Sequence, residues 1–161
     1  MAALRIGVLT SSDTRAAGDA EDTSGRALIE LSEAHGWEVV RYHLVPDDRD
    51  RIASALVQMA DSDSCDVIFT TGGTGLGPRD VLPEVTLEVS DREVPGIGQV
   101  VRGESLKITS RAMLSRGTAG QRGHTLIINL PGSEKAVRES FGFVEGVVEH
   151  AVEMMAGGGH G

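Results

Sequence analysis

The sequence predicts an α/β fold: three layers, with a mostly parallel sheet covered by helices on both faces. Two observations lead there. Apolar runs of strand length alternate with segments of helical periodicity along the chain, the pattern of strand–helix–strand units. A glycine-dense segment then follows directly on one of the apolar runs, where open α/β sheets carry their ligand loops. At 161 residues the chain fits one domain, taken as 1–161. A domain of that length hides roughly two-thirds of its unfolded surface, enough for a real core.

Taken in order, Leu4–Thr10 reads as a first strand, buried on both faces, and Ser11–Asp22 as a polar loop. Asp22 or Thr23 caps a helix to about His35, with Ala27, Leu28, Leu31 and Ala34 apolar and Gly36 as its stop. Trp37–Val45 is a second strand, ended by Pro46. Asp47 or Asp48 caps a helix carrying Ile52, Leu56 and Met59 on one face. Asp66–Thr71 is the third strand. Pro83 and Glu84 suit the first turn of a helix to about Asp91, and 96–107 form another. Met113–Thr118 and His124–Leu130 read as strands joined through a turn at Gly120-Gln121-Arg122-Gly123. Pro131-Gly132-Ser133 leads into a last helical region, broken near Gly142 and ending by Ala156, with Gly157–Gly161 as a frayed tail. The switch-point rule brings loops 11–22, 46–50, 72–80 and 131–133 to one edge of the sheet.

Composition narrows the function. A net charge of −9 argues against general binding to nucleic acid or anionic membranes, and five aromatic residues are too few for a base-stacking platform. Acidity is unevenly spread: Arg102–Arg138 holds seven Lys/Arg against two Glu, either a solvated basic face or extra cations for an anion site. Cys65 is the only cysteine, and the five histidines lack ligand spacing, so no disulfide or Cys/His metal site is expected. Residues 4–10 are too short for a signal-peptide core or membrane span, so a cytoplasmic location is expected.

The strongest local signal is Thr71-Gly72-Gly73-Thr74-Gly75, followed by Leu76-Gly77-Pro78-Arg79-Asp80. Glycines let backbone N–H groups approach an anion with no Cβ in the way, and Thr71 and Thr74 add hydroxyls. It is not a P-loop, because Pro78-Arg79 stand where Lys and Ser/Thr are required. It is not the dinucleotide fingerprint either, since the third glycine comes one residue early. Asp80 reads as a carboxylate holding Mg²⁺ against phosphate oxygens, or else as the cap of a following turn or the partner of Arg79. Asp47 reads as a contributor to the same site or as a helix cap. Pro131, Gly132 and Ser133 form a second loop able to offer N–H groups at a helix start. Ser115 and Arg116 put a hydroxyl and a guanidinium in the basic stretch, Arg116 as phosphate clamp or surface arginine. This inventory of glycines, hydroxyls, arginines and carboxylates suits phosphoryl or nucleotidyl transfer, where positioning and charge neutralisation do the work. Cys65, just before a strand, reads as a buried thiol.

Five motifs in order carry a resemblance: Thr71-Gly72-Gly73-Thr74-Gly75, Arg79-Asp80, Pro83-Glu84, Leu114-Ser115-Arg116, and Asn129-Leu130-Pro131-Gly132-Ser133 with Lys135-Ala136-Val137. Over about residues 4–156 the chain resembles the MoaB/MogA family of molybdenum cofactor biosynthesis, which includes the molybdopterin adenylyltransferases. The resemblance implies a molybdopterin-binding fold, a homotrimer or hexamer, and transfer of AMP from Mg²⁺-ATP to the terminal phosphate of molybdopterin. It further implies delivery of the adenylated pterin to the molybdate-insertion enzyme. Matched motif to motif, Asp47 and Asp80 correspond to the family's functional aspartates. The glycine loop (71–75) and Pro131-Gly132-Ser133 correspond to the parts that hold nucleotide and pterin phosphates, and Ser115 is similar to a pterin-site serine. Two positions depart from the pattern. Leu82 replaces a threonine, which would make the pocket less polar, and Glu134 brings an anion next to the phosphate-holding turn that the resemblance implies. A competence-damage-type nucleotide-processing domain and a non-catalytic pterin-binding paralogue are the alternative readings.

Overall fold

Along the central strands, odd and even residues go to opposite sides of the sheet, and both sides are dry. Val67 and Phe69 bury with Ile6, Val8, Leu126 and Ile128 against one helical layer. Ile68 and Ile127 bury with Leu9 against the other. Period-two alternation with no polar face is what a sheet covered on both sides demands. The computed structural model, which describes residues 2–158, has strands β1 (Arg5–Ser11), β2 (Glu38–Val45), β3 (Val67–Thr71), β4 (Arg92–Glu93), β5 (Ala119–Arg122) and β6 (Thr125–Leu130). They form one six-stranded sheet in the order β2-β1-β3-β6-β5-β4. The first four in that order run parallel, while β5 and β4 extend the sheet antiparallel.

The helices are α1 (Asp13–Ala16), α2 (Thr23–Ala34), α3 (Arg49–Val57), α4 (Leu82–Val89), α5 (Pro95–Leu106) and α6 (Glu134–Met155). Residues from α2, α5 and α6 share one core, in which Trp37 stacks on Phe69 and both meet Phe141 at a tilt, with Phe69–Phe141 centroids 5.3 Å apart. Residues from α3 and α4 form the other core with Leu9, Ile68 and Ile127. Side-chain caps start three helices that matter to the site. Asp22 accepts the Gly25 N–H (3.0 Å), Asp48 the Arg51 N–H (2.9 Å) and Ser133 the Ala136 N–H (3.2 Å).

Most of the expected elements are present, with four corrections, the first being the short helix α1, Asp13–Ala16, inside the segment read as the loop Ser11–Asp22. The stretch Gly120–Arg122, read as a turn, is most of strand β5. The chain reverses at Gly123-His124 instead, with Gly123 at φ +56°. The expected strand Met113–Thr118 is absent: Met113-Leu114 belong to a 3₁₀ turn, Ser110–Leu114, that Thr109 caps, and the strand begins only at Ala119. Helix α6 is not broken near Gly142. It runs unbroken because Val137, Phe141, Val144 and Val148 bury one face, which outweighs the ~1 kcal/mol a helical glycine costs. Gly157 and Gly158 follow α6. The rest of the expected tail, 159–161, lies outside the described residues.

Candidate functional site

Four loops meet at the carboxyl ends of β1, β2, β3 and β6, as the strand order requires. The contacts are backbone-close. A Cβ on Gly72 would collide with the Ser11 carbonyl oxygen, and one on Gly132 would lie 3.4 Å from the Gly72 Cα. Gly72 and Gly73 also have φ of +91° and +65°, a conformation side chains resist. Here glycine is demanded by both conformation and space.

The rest of the glycine loop wraps Asp80. Its Oδ2 accepts the Gly77 N–H at 2.9 Å, and a Cβ on Gly75 or Gly77 would sit 2.9 Å from that same oxygen. Among the described residues Asp80 Oδ1 accepts no hydrogen bond, so one carboxylate oxygen remains for a ligand. Asp80 does not pair with Arg79. Arg79 instead reaches across to Asp13 with two hydrogen bonds, 2.6 and 3.0 Å, and holds that carboxyl below its usual range. Asp47 is not the helix cap, which is Asp48. Its carboxylate accepts Ser11 Oγ (2.6 Å) and the Asp13 N–H (3.1 Å), while the Asp47 N–H donates back to Asp13 (2.9 Å).

Arg116 is neither a free clamp nor a surface residue. Its guanidinium donates to the carbonyl oxygens of Gly75 (2.8 Å) and Asp80 (2.7 Å) and pairs with Glu84, so it fixes both ends of the loop segment 75–80. The two threonines divide. Thr74 lines a cavity of ≈ 190 Å³. Thr71 is fully buried and its hydroxyl donates to the Pro131 carbonyl oxygen at 2.6 Å, so it braces the second loop and offers nothing to a ligand.

The cavity brings together Thr74, Ser115 and Pro131 with Arg102 and Arg111, under an apolar wall of Val101, Ile108 and Ala112. Asp47 lies elsewhere, in a shallow depression it shares with Pro78, Arg79 and Val81. The predicted residues therefore cluster as two compartments on either side of the glycine loop. The basic stretch divides likewise. Arg102 and Arg111 line the cavity, Arg102 with its Nη1 donating to the Gly117 carbonyl oxygen (2.5 Å), whereas Lys107, Arg122 and Arg138 are engaged with Glu104, Asp61 and Glu30. Leu82 does not touch pocket polarity, because it is fully buried with Leu9, Val45 and Ile127. Glu134 is neutralised by Arg138 at 3.0 Å.

Backbone donors are left for an anion. Among the described residues, the N–H groups of Gly73, Thr74 and Gly75 on one loop and of Gly132 and Ser133 on the other make no hydrogen bond. Unpaired backbone N–H groups on two loops in contact are the material of an anion-binding concavity. No group of three or more His, Cys, Asp or Glu among the described residues is arranged to hold a metal. Asp80 alone would offer a divalent ion one carboxylate, which suits Mg²⁺ held mainly by substrate phosphates and water. The sequence brings loop 11–22 to this edge but does not single out Ser11, Asp13 or Arg15 within it, and Ser24 is hidden in what reads as a helix start.

A family model described as "Probable molybdopterin binding domain" matches residues 7–150. The chain is 40% identical to the molybdopterin adenylyltransferase of Helicobacter pylori J99 over 159 residues, covering 98% of this chain and 90% of the relative. It is also 40% identical to the molybdopterin adenylyltransferase of Escherichia coli K12, covering 91% of this chain and 75% of that protein. Among solved structures, the molybdopterin biosynthesis enzyme MoaB of Thermus thermophilus superposes with a TM-score of 0.90 at 47% identity, covering 96% of this chain and 97% of that one. With the matched region spanning the sheet and every loop of the site, the chain belongs to the molybdopterin-binding MoaB/MogA family of molybdenum cofactor biosynthesis.

Proposed function

We propose that this protein, acting as a single domain over 1–161, is a molybdopterin adenylyltransferase. A terminal phosphate oxygen of molybdopterin attacks the α-phosphorus of ATP. The bond from that phosphorus to the α–β bridging oxygen breaks, and pyrophosphate leaves. The observation that carries this reading is the pair of facing loops with unspent N–H groups, 73–75 and 132–133, beside a cavity lined by Arg102 and Arg111. Such an arrangement neutralises two phosphate-bearing substrates at once, and in phosphoryl-group chemistry positioning and charge neutralisation supply most of the catalysis.

Within this reading Gly72, Gly73, Thr74 and Gly75 hold the nucleotide phosphates. Pro131, Gly132 and Ser133 hold the neighbouring phosphate, and Ser115 contacts the pterin from the cavity wall. Thr71 serves by bracing the Pro131 carbonyl. Asp80 is the metal-holding carboxylate and Asp47 the second catalytic aspartate, kept in place by Ser11 and Asp13. Mg²⁺ supplies charge neutralisation on the polyphosphate. The protein assembles as a homotrimer or hexamer, works in the cytoplasm and passes its product to a molybdate-insertion enzyme. Among the described residues no helix is long and apolar enough to cross a membrane. Incubation with molybdopterin, ATP and Mg²⁺ should yield adenylylated pterin and one pyrophosphate per turnover. Pterin binding without pyrophosphate release would overturn the assignment in favour of a non-catalytic binder.

A further inference from the structure

The Pro131–Gly132 turn is held from behind by side chains that come from far away in the sequence. Arg15 Nη1 donates to the Gly132 carbonyl oxygen (3.3 Å) and to Ser24 Oγ (2.5 Å). Thr71 Oγ1 donates to the Pro131 carbonyl oxygen (2.6 Å) and is hydrogen-bonded to Ser24 Oγ at 3.1 Å. Ser24 and Thr71 are fully buried. Arg15 is in turn steered by Asp22, 3.4 Å away, whose side chain is only 8% exposed. Asp22 is itself fixed by Thr10 Oγ1 (2.7 Å), the Gly25 N–H (3.0 Å) and the Tyr42 hydroxyl.

In a trans peptide the N–H points away from the C=O of the same unit. Holding the Pro131 carbonyl toward Thr71 therefore turns the Gly132 N–H the opposite way. Holding the Gly132 carbonyl toward Arg15 does the same for the Ser133 N–H. These two N–H groups are among those left without an acceptor. We propose that Arg15 and Ser24, with Asp22 orienting Arg15, are positioning residues that fix the Pro131–Gly132 turn so that its N–H groups face a bound phosphate. This rests on reading the turn as a phosphate-binding element. None of the three touches the substrate; each acts through the turn. Arg15 has the further effect of tying loop 11–22 to loop 131–133.

The test uses the ligand-free protein and inorganic pyrophosphate as probe. In Arg15→Met, melting should show a folded protein. The backbone order measured by ¹⁵N relaxation should fall at Gly132 and Ser133 but not at Val67–Phe69. Pyrophosphate binding, measured by calorimetry, should weaken roughly tenfold, the scale of one lost charge-assisted hydrogen bond. Ser24→Ala should move both readouts in the same direction. Arg15→Lys should restore part of each, which a purely structural arginine would have no reason to do at these two amides. Unchanged order at Gly132 and Ser133 in both Arg15→Met and Ser24→Ala overturns the proposal. Absence of pyrophosphate binding by the unmodified protein would count instead against the phosphate reading, and the amide readout would still decide the positioning role.

Discussion

Asp80 turns its carboxylate back onto Gly77 and accepts that residue's N–H at 2.9 Å, so the acidic group sits inside the loop it terminates. A methyl group on Gly77 would lie 2.9 Å from Asp80 Oδ2, too close to coexist with it. The conflicting atom is the end of a mobile side chain, so the fold can yield by swinging the carboxylate out. Gly77→Ala is therefore expected to melt within a few degrees of the unmodified protein while losing most adenylyl transfer. Gly75→Ala, which meets the same oxygen at the same distance, should behave alike. Melting and turnover on one preparation check both.

Asn129 predicts a stability effect away from the chemistry. Its amide donates to Thr70 Oγ1 (3.0 Å) and Thr86 Oγ1 (2.9 Å), and its carbonyl accepts the Thr118 N–H (3.2 Å), all in the buried interior. Asn129→Ala strands a buried N–H, and such a group costs about 1–3 kcal/mol. Urea unfolding should show a loss of that size or more, because a cavity is left as well. No change would mean that water replaces the amide.

How much of this could be read beforehand depended on whether one segment carried the signal. The glycine loop and Pro131-Gly132-Ser133 were legible because their conformational demands are written in consecutive residues. Strand β5 was not. Ala119-Gly120-Gln121-Arg122 has no strand propensity and pairs only because β6 offers it an edge. Gly120 is further required because a Cβ there would meet the Ser90 hydroxyl. The inward turn of Thr71, the Asp13–Arg79 pair and the role of Arg116 were equally hidden. Each depends on a partner 32 to 66 residues away, and spacing within a segment carries no trace of it.

Cys65 gives a prediction in pH. Burial pushes its thiol up to about 11. A group whose folded-state pKa is raised favours the fold while protonated. Its stabilisation is complete below the unfolded thiol value, about 8.5, and is lost as pH rises toward 11. Stability should thus decline from about pH 8.5 upward, and Cys65→Ser should flatten that decline. At pH 8 a thiol reagent should label the native protein only as fast as the protein opens, and rapid stoichiometric labelling would contradict the burial.

The central claim is that Asp80 serves by its charge, one oxygen held by Gly77 and the other left for a metal-bound polyphosphate. Asp80→Asn keeps size and hydrogen-bonding reach but removes the charge, so adenylyl transfer measured across a Mg²⁺ titration tests it most directly. The account predicts a variant of nearly unchanged melting temperature that still binds molybdopterin and is slower by about two orders of magnitude, the scale of one preorganised electrostatic contact. Turnover close to that of the unmodified protein, with the same Mg²⁺ dependence, would contradict it and leave Asp80 as a turn cap alone.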